Sequence, residues 1–310
     1  MKKTLLAAGL AVVALALALL HTFAAAPLPA PAPLDAALPP ASPPADMAVF
    51  QLPTGVTHRS AAFAYRGGAF GDQRDFAMAA VLVRHPRGDL LVDTGLGRGI
   101  ETQLDLMPFW FRASTPYTRA RPAADQLAAA GYDRARLHAI LLTHAHWDHS
   151  SGLPDFPGTP VWVTADERRF VADGGWITAI ARSADARYEE YAFDGGPYLG
   201  FPASHDVYGD GSIVVVPAPG HTPGSVIIFL TLPSGIRYAL VGDLVWQREG
   251  ISQREERPWL QRTLADRDPA AVRDNILRMA AIAARFPDII IVPAHDARGF
   301  AEMPTLPPAP

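Results

Sequence analysis

The densest cluster of metal-binding side chains lies in Thr143–His149, which contains the pattern His-x-His-x-Asp-His beginning at His144. Neutral imidazoles and carboxylates are the ligands that zinc and similar divalent ions take from proteins. A lone histidine is more often an ordinary surface or core residue, but three histidines and an aspartate within six residues rarely occur by chance. The spacing therefore predicts a metal site.

Three further candidate ligands follow at long intervals, each directly after a run of strand-forming residues. Loops at one edge of a sheet can converge on a shared site. Asp243 has two carboxylate oxygens and can bridge two ions. The sequence therefore predicts two divalent ions, zinc first, with iron, manganese and cobalt as alternatives. The predicted ligands are His144, His146, Asp148, His149, His221, Asp243 and His295.

Two adjacent divalent ions predict a hydrolase, because a metal ion lowers the pKa of bound water toward neutrality. A bridging hydroxide would attack a carbonyl or phosphoryl centre. Asp148 and Asp243 are the candidate catalytic residues, and Asp148 is expected to shuttle a proton. Esters, lactones, lactams, thioesters and phosphoesters all remain open, since the pocket selects the substrate. A metal-binding or sensory module without catalysis is the non-enzymatic alternative.

Composition excludes several other classes. The 310 residues are 49% hydrophobic and 19% charged, which is typical of a globular protein with a large core. The formal net charge is −4, and no long basic run is present, so we expect a small-molecule substrate and no nucleic-acid partner. The chain has no cysteine, which excludes disulfides and thiolate metal ligands.

The first 26 residues have the pattern of a secretory signal peptide. Lys2 and Lys3 precede an uncharged run, and small residues follow it, with cleavage expected after Ala24 or Ala26. This predicts a periplasmic or secreted protein. The alternative is an uncleaved anchor, which would be the protein's one contact with a membrane.

The remaining chain divides by composition. Residues 27–46 are rich in proline and alanine and predict a disordered linker, and residues 304–310 predict a disordered tail. The folded domain is expected over residues 47–303. Within it, the apolar patterns predict two β-sheets covered by helices. The predicted strands are 79–84, 90–92, 137–142, 161–163, 212–216, 225–230, 238–241 and 289–292, and the predicted helices are 120–130, 165–172 and 269–285.

The order of these motifs resembles that of the metallo-β-lactamase fold superfamily of dinuclear metal hydrolases. The resemblance extends from about Ala79 to His295 and includes Asp93-Thr94-Gly95 before the histidine cluster. It implies an α+β fold, an αβ/βα four-layer sandwich. It also implies that Asp93 supports the site without binding metal and that Asp243 bridges the ions. The first ion would be held by His144, His146 and His221, and the second by Asp148, His149 and His295.

Within the superfamily, the chain is most similar to N-acyl-homoserine lactonases, which implies a quorum-quenching activity. The similarity rests on Asp243, on the hairpin 81–95 and on the segment 250–266. One departure is Trp246, which stands where those lactonases have a tyrosine, and an indole N–H donates but cannot accept. Other ester or organophosphate hydrolases and a β-lactamase remain alternatives, although true β-lactamases replace the bridging carboxylate. The aromatic segment 107–111 is expected to be either a lid or an acyl-chain wall beside the site entrance, or a core or homodimer contact.

Overall fold

Two β-sheets form the centre of the protein in the computed structural model, which describes residues 2–307. One sheet has seven strands in the order β4-β1-β2-β3-β5-β6-β7, and the other has five in the order β12-β11-β10-β9-β8. The strands are β1 Ala48–Ser60, β2 Gln73–Arg84, β3 Asp89–Val92, β4 Thr118–Arg119, β5 Leu137–Leu141, β6 Val161–Thr164, β7 Tyr188–Tyr191, β8 His205–Asp206, β9 Ile213–Pro217, β10 Val226–Thr231, β11 Arg237–Leu240 and β12 Ile289–Val292.

Helices precede, connect and follow the strands, and several of them cover the outer faces of the two sheets. They are α1 Lys2–His21, α2 Ile100–Gln103, α3 Phe109–Ser114, α4 Ala123–Ala129, α5 Trp147–Ser150, α6 Ala165–Asp173, α7 Ala179–Ser183, α8 Glu249–Ser252, α9 Trp259–Ala265, α10 Pro269–Arg285 and α11 Ala297–Phe300.

The layers arise because successive side chains of a strand point to opposite faces of its sheet. In β2, Val81 and Val83 pack between the sheets with Val215 of β9 and Ile228 of β10. Leu82 points the other way and packs beneath the outer helices. The second sheet's outer face is covered mainly by α10. The predicted α+β fold with an αβ/βα four-layer sandwich is therefore confirmed.

Helix α10 shows how local sequence fixes the elements that flank the site. Asp268 caps it, since its carboxylate accepts hydrogen bonds from the backbone N–H groups of Ala270 and Ala271. Pro269 occupies the first helical position, where its missing N–H is not needed. Val272 and Ile276 lie on one face and are buried against the second sheet. The helix ends directly before the turn into β12, which leads to His295.

Several elements of the structure were not predicted or begin elsewhere, and β1 and α4 show the physical reasons. The long strand β1 was not predicted, because Pro53 and Gly55 interrupt its strand pattern; the structure accommodates them with a register shift against β2. Helix α4 begins at Ala123 instead of residue 120, because Pro122 acts as its N-terminal boundary.

The proline- and alanine-rich segment 27–46, for which composition predicts a disordered linker, lies along the domain in the structure. The Leu28 N–H donates to the Arg254 carbonyl (2.8 Å), and the Ser42 N–H donates to the Asp210 carbonyl (2.7 Å). Leu28 and Leu34 pack against the outer face of the second sheet. Its composition indicated disorder, but these leucines provide apolar surface that the domain buries.

Truncation tests whether this segment stabilises the domain. The buried Glu255 accepts the Ala26 N–H with both oxygens, at 2.9 and 3.1 Å. A chain that begins at Met47 loses this bond and the packing of the two partly buried leucines, each of which contributes less than the roughly 1.5–3 kcal/mol of a fully buried leucine. We expect its Tm to fall by about 5 °C or more relative to a chain that begins at Ala24. Equal melting temperatures in calorimetry would show that the segment contributes nothing.

The two ends of the chain are a predicted tail and a predicted signal segment. At the carboxyl end, the Pro304 carbonyl accepts the Gln51 N–H at 2.9 Å, so the start of the predicted tail contacts β1; residues 308–310 lie outside the described residues. At the amino end, the predicted signal segment contains α1. Among residues 2–307, no helix has both the length and the apolarity needed to cross a membrane.

Candidate metal centre

The seven predicted ligands converge where the carboxyl ends of strands from both sheets meet. The His144–His149 cluster follows β5, and β3 and β5 are parallel neighbours. In the second sheet, Asp243 follows β11 and His295 follows β12, which are also parallel. His221 lies in the loop between β9 and β10. The sheet topology therefore brings residues that are up to 151 positions apart (144 to 295) into one site.

The ligand atoms form three overlapping groups, each within 4.8 Å: His144, His146 and His221; His144, His149 and Asp243; Asp148, His149 and His295. Asp243 lies between the outer two groups. Its Oδ1 is 3.2 Å from His149 Nε2, and its Oδ2 is 3.2 Å from His295 Nε2 and 3.4 Å from His221 Nε2. This arrangement matches two neighbouring cation positions joined by one carboxylate.

Unsatisfied buried atoms in the cluster fit divalent cations. His144 Nε2 and His146 Nε2 are buried and have no hydrogen-bond partner among the described residues. Leaving such atoms unpaired is costly, because they lose water without gaining a partner. A donor set of five imidazoles and two carboxylates suits zinc and related ions. The residues present therefore fit the predicted cofactor.

Local electrostatics keeps the lone pairs of two histidines available. Burial, followed by the neighbouring histidines, holds the pKa values of His144 and His146 well below the usual range, so both imidazoles are neutral. Burial opposes ionisation of Asp243, but His295 and His149 nevertheless hold its pKa well below the usual value. Neutral imidazole and ionised carboxylate are the forms that bind metal.

Asp93 orients the histidine cluster from behind. Its Oδ1 accepts the Thr143 N–H (2.7 Å), and its Oδ2 accepts the Thr143 hydroxyl and lies 2.8 Å from His149 Nδ1. A carboxylate on the far nitrogen of a ligating histidine fixes its tautomer and ring orientation. Asp93 has a φ of 55°, a left-handed conformation that aspartate tolerates better than most residues.

Asp266 and Arg257 support His221 and Asp243 from the other side. Asp266 Oδ1 lies 3.0 Å from His221 Nδ1. The Arg257 guanidinium donates to both Asp266 oxygens (2.8 and 3.1 Å) and to the backbone carbonyl of Asp243. Sequence reasoning missed both residues, since nothing in the spacing of the segment 250–266 indicates which polar side chains are buried.

Glu167 joins the loops that carry His144–His149 and His221. Glu167 lies in the first turn of α6 and is buried. Its carboxylate accepts the Ala145 N–H (2.6 Å), the Thr222 hydroxyl (2.6 Å) and the Gly224 N–H (3.0 Å). Burial raises the pKa of Glu167 to about 7. Its role is to hold both loops in place.

A cavity of about 340 Å³ opens directly onto the cluster. Five predicted ligands line it, and aromatic and aliphatic side chains form most of the remaining wall. Trp110 and Phe111 belong to that wall, so the aromatic segment 107–111 lies partly beside the site, while Met107 is buried. The lining ligands are His146, Asp148, His221, Asp243 and His295.

Comparison with known families decides the classification. Residues 75–295 match the model of the metallo-beta-lactamase superfamily, which is most of the folded domain and includes the whole ligand cluster. The chain belongs to the metallo-beta-lactamase superfamily. Its relatives are named metallo-hydrolases and lactonases, and this superfamily member is a hydrolase.

Two relatives and one solved structure illustrate the similarity. A protein of Mycobacterium tuberculosis named as a probable metallo-hydrolase is 33% identical over 237 residues, covering 70% of this chain and 73% of that protein. An N-acyl homoserine lactonase of Rhizobium radiobacter is 27% identical over 160 residues, covering 49% of this chain and 59% of the lactonase. The structure of an N-acyl homoserine lactone hydrolase with bound N-hexanoyl-L-homoserine has a TM-score of 0.64 at 18% identity, covering 83% of this chain and 96% of that chain.

Trp246 takes a defined position in this metallo-beta-lactamase-superfamily site. Its indole N–H donates to Asp243 Oδ2 at 2.9 Å, and its ring lines the cavity. The Arg257 guanidinium lies over the Trp246 ring, 4.7 Å from the ring centre. The one polar side-chain atom of Trp246 therefore donates to the carboxylate of Asp243, which is one of the predicted metal ligands.

Replacing Asp93 tests the support of the histidine cluster in this superfamily member. In Asp93→Asn, the remaining side-chain oxygen can still accept the Thr143 N–H, but the new amide nitrogen cannot accept from His149 Nδ1. We expect zinc affinity and hydrolysis to fall by about 10- to 100-fold with little change in overall fold. Zinc affinity is measured by chelator competition. An unchanged affinity would mean that Asp93 does not orient His149.

Proposed function

We propose that this protein is a dizinc hydrolase that opens lactone rings, with N-acyl homoserine lactones as the best substrate class. One observation carries the proposal: a largely apolar cavity of about 340 Å³ is lined directly by five of the predicted metal ligands. Ligand pockets commonly combine apolar walls with a few convergent polar groups. The similarity to proteins named N-acyl homoserine lactonases supports the lactone as the group that is cleaved.

Different residues of the site have different roles in hydrolysis. Divalent ions held there would supply an activated water and a Lewis acid for the carbonyl. Asp148 lines the cavity, and its Oδ2 is 3.4 Å from His295 Nε2, so we assign to it the transfer of a proton between water and leaving oxygen. Trp246 fixes the orientation of Asp243 through its N–H bond. The apolar walls exclude bulk water.

The cavity wall predicts a preference for longer acyl chains. Trp110, Phe111, Leu260 and Leu264 provide apolar surface beside the ligands. Each methylene that enters such a site contributes about 0.8 kcal/mol, roughly fourfold in kcat/KM. We expect kcat/KM to rise along an acyl series until the chain fills the cavity. A series from butanoyl to dodecanoyl homoserine lactone measures this, and a flat profile would show that the chain binds elsewhere.

A substrate panel tests the proposed function. Purified protein is assayed with acyl-homoserine lactones, simple lactones, aryl esters, phosphotriesters and β-lactams, before and after chelation and again after zinc is restored. We expect kcat/KM for acyl-homoserine lactones to exceed that for every other class by at least about tenfold, an advantage of 1.4 kcal/mol. We also expect chelation to abolish turnover. Greatest turnover of another class would replace the lactone assignment.

We further propose that the protein is exported. The basic residues Lys2 and Lys3, the apolar run and the alanines around Ala24 support a cleavable signal. The mass of the protein recovered from the periplasm of a Gram-negative host tests this. A mass that lacks residues 1–24 or 1–26 is expected, and full-length protein confined to the cytoplasm would contradict export.

A further inference from the structure

Arg59 places a positive charge in the wall of an otherwise largely apolar cavity. It lies on β1 two residues after Thr57, so both side chains point to the same face of the strand and both line the cavity. Among the residues described, Arg59 is the one lysine or arginine that lines this cavity. The metal ligands contribute carboxylates to the same space, but they belong to the loops beyond the strands.

The guanidinium of Arg59 has unused hydrogen-bonding capacity. It donates to the Ser114 carbonyl at the end of α3, at 2.7 Å. Within residues 2–307 no carboxylate lies within salt-bridge distance of it, and burial lowers its pKa from the usual value. Arginine has five N–H donors in a planar fork and stays charged in proteins. One bond to a carbonyl leaves most of these donors free.

Two other arginines, unlike Arg59, are each paired with a carboxylate. Arg112 donates to Asp105 at 2.6 Å, and Arg119 donates to Glu101 at 2.8 Å. A half-buried cation without a counter-charge is unfavourable. The Ser114 carbonyl accepts one hydrogen bond from Arg59, but it supplies no counter-charge for a cation that lines the cavity.

We propose that Arg59 forms an anion subsite of the substrate cavity. The preferred substrates then carry a carboxylate on the acyl part, remote from the bond that is cleaved, and the planar fork of Arg59 binds it. This inference rests on the proposed function, because it assigns a substrate feature to the same cavity. Arg59 is a specificity-determining residue and takes no part in bond cleavage.

Matched substrates and variants test the subsite. Two acyl-homoserine lactones of equal chain length end in a carboxylate or in a carboxamide. We expect the wild type to prefer the carboxylate by about tenfold or more. Arg59→Met should lower kcat/KM for the carboxylate by about 10- to 100-fold and change that for the carboxamide by less than about threefold. Arg59→Lys should retain part of the preference, since it keeps the charge but not the fork.

Arg112→Met is the matched control, because Arg112 is paired with an acid and is not part of the cavity wall. It should leave both substrates unaffected, and thermal melting should show that all variants are folded. An equal loss on both substrates in Arg59→Met would assign Arg59 to the support of α3 and overturn the subsite. No preference in the wild type would overturn it as well.

A failure of the proposed lactonase function can be distinguished from a failure of the Arg59 subsite. If no lactone is hydrolysed, the corresponding chain-terminal acids and amides are compared as competitive inhibitors of the best substrate in the panel. Selective weakening of the acid by Arg59→Met would support the subsite independently of the lactone. Equal inhibition constants for acid and amide in wild type and variant would overturn it.

Discussion

Asp243→Ala should lose bound metal and hydrolytic activity together. Asp243 lies within 3.4 Å of nitrogens from His149, His221 and His295, which belong to both predicted cation positions. Removal of its carboxylate withdraws a ligand from both positions and leaves the Trp246 N–H without its acceptor. Loss of an outer-shell partner already costs up to about 100-fold, so we expect a larger loss of kcat/KM for this variant.

Metal analysis and kinetics on the same preparations measure this effect. Asp173→Ala is the matched control, since Asp173 is an exposed carboxylate at the end of α6. It should retain the metal content and activity of the wild type. Asp243→Asn should fall between wild type and alanine, because it keeps one oxygen. Wild-type activity in Asp243→Ala would show that this residue does not join the two cation positions.

Arg257→Met should destabilise the protein and weaken the metal centre at the same time. The side chains of Arg257 and Asp266 are 2% and 1% exposed, and they are joined by two hydrogen bonds. Removal of one partner of a buried ion pair costs about 3–5 kcal/mol, which lowers Tm by roughly 10 °C in a domain of this size. Because Asp266 orients His221, zinc affinity should also fall by about 10- to 100-fold.

A second substitution separates these two consequences. Asp266→Asn in the Arg257→Met background removes the stranded charge, so Tm should recover in part while zinc affinity stays low. Arg285→Met is the control, since Arg285 is an exposed arginine at the end of α10. Calorimetry measures the Tm of all four proteins, and chelator competition measures zinc affinity. Unchanged Tm and zinc affinity in Arg257→Met would contradict the supporting role of this residue.

Sequence reasoning located the candidate centre because its signal is local. Four of the seven side chains lie in the pattern His144-x-His146-x-Asp148-His149, and the other three follow strands whose apolar runs are easily recognised. The structure brings all seven together. The central strands of both sheets and the α10 helix were predictable for the same reason, since their apolar patterns are uninterrupted.

The support of the centre was not predictable, because it depends on burial produced by distant contacts. Glu167 resembled an ordinary acid at a helix start, and the spacing of residues in the segment 250–266 did not indicate that Arg257 and Asp266 are buried. Their roles follow from the packing of α6 and of the segment 250–266 against the ligand loops. Segment 27–46 is a second example, because its composition gave no indication that Leu28 and Leu34 pack against the domain.

The number of zinc ions that the metal-free protein binds tests the central claim most directly. Chelated, dialysed protein is titrated with zinc in a calorimeter, and turnover of an acyl-homoserine lactone is measured at each step. We expect two equivalents, with activity completed by the second. Saturation at one equivalent, or no zinc binding by a folded protein, would contradict a centre in which Asp243 joins two cations.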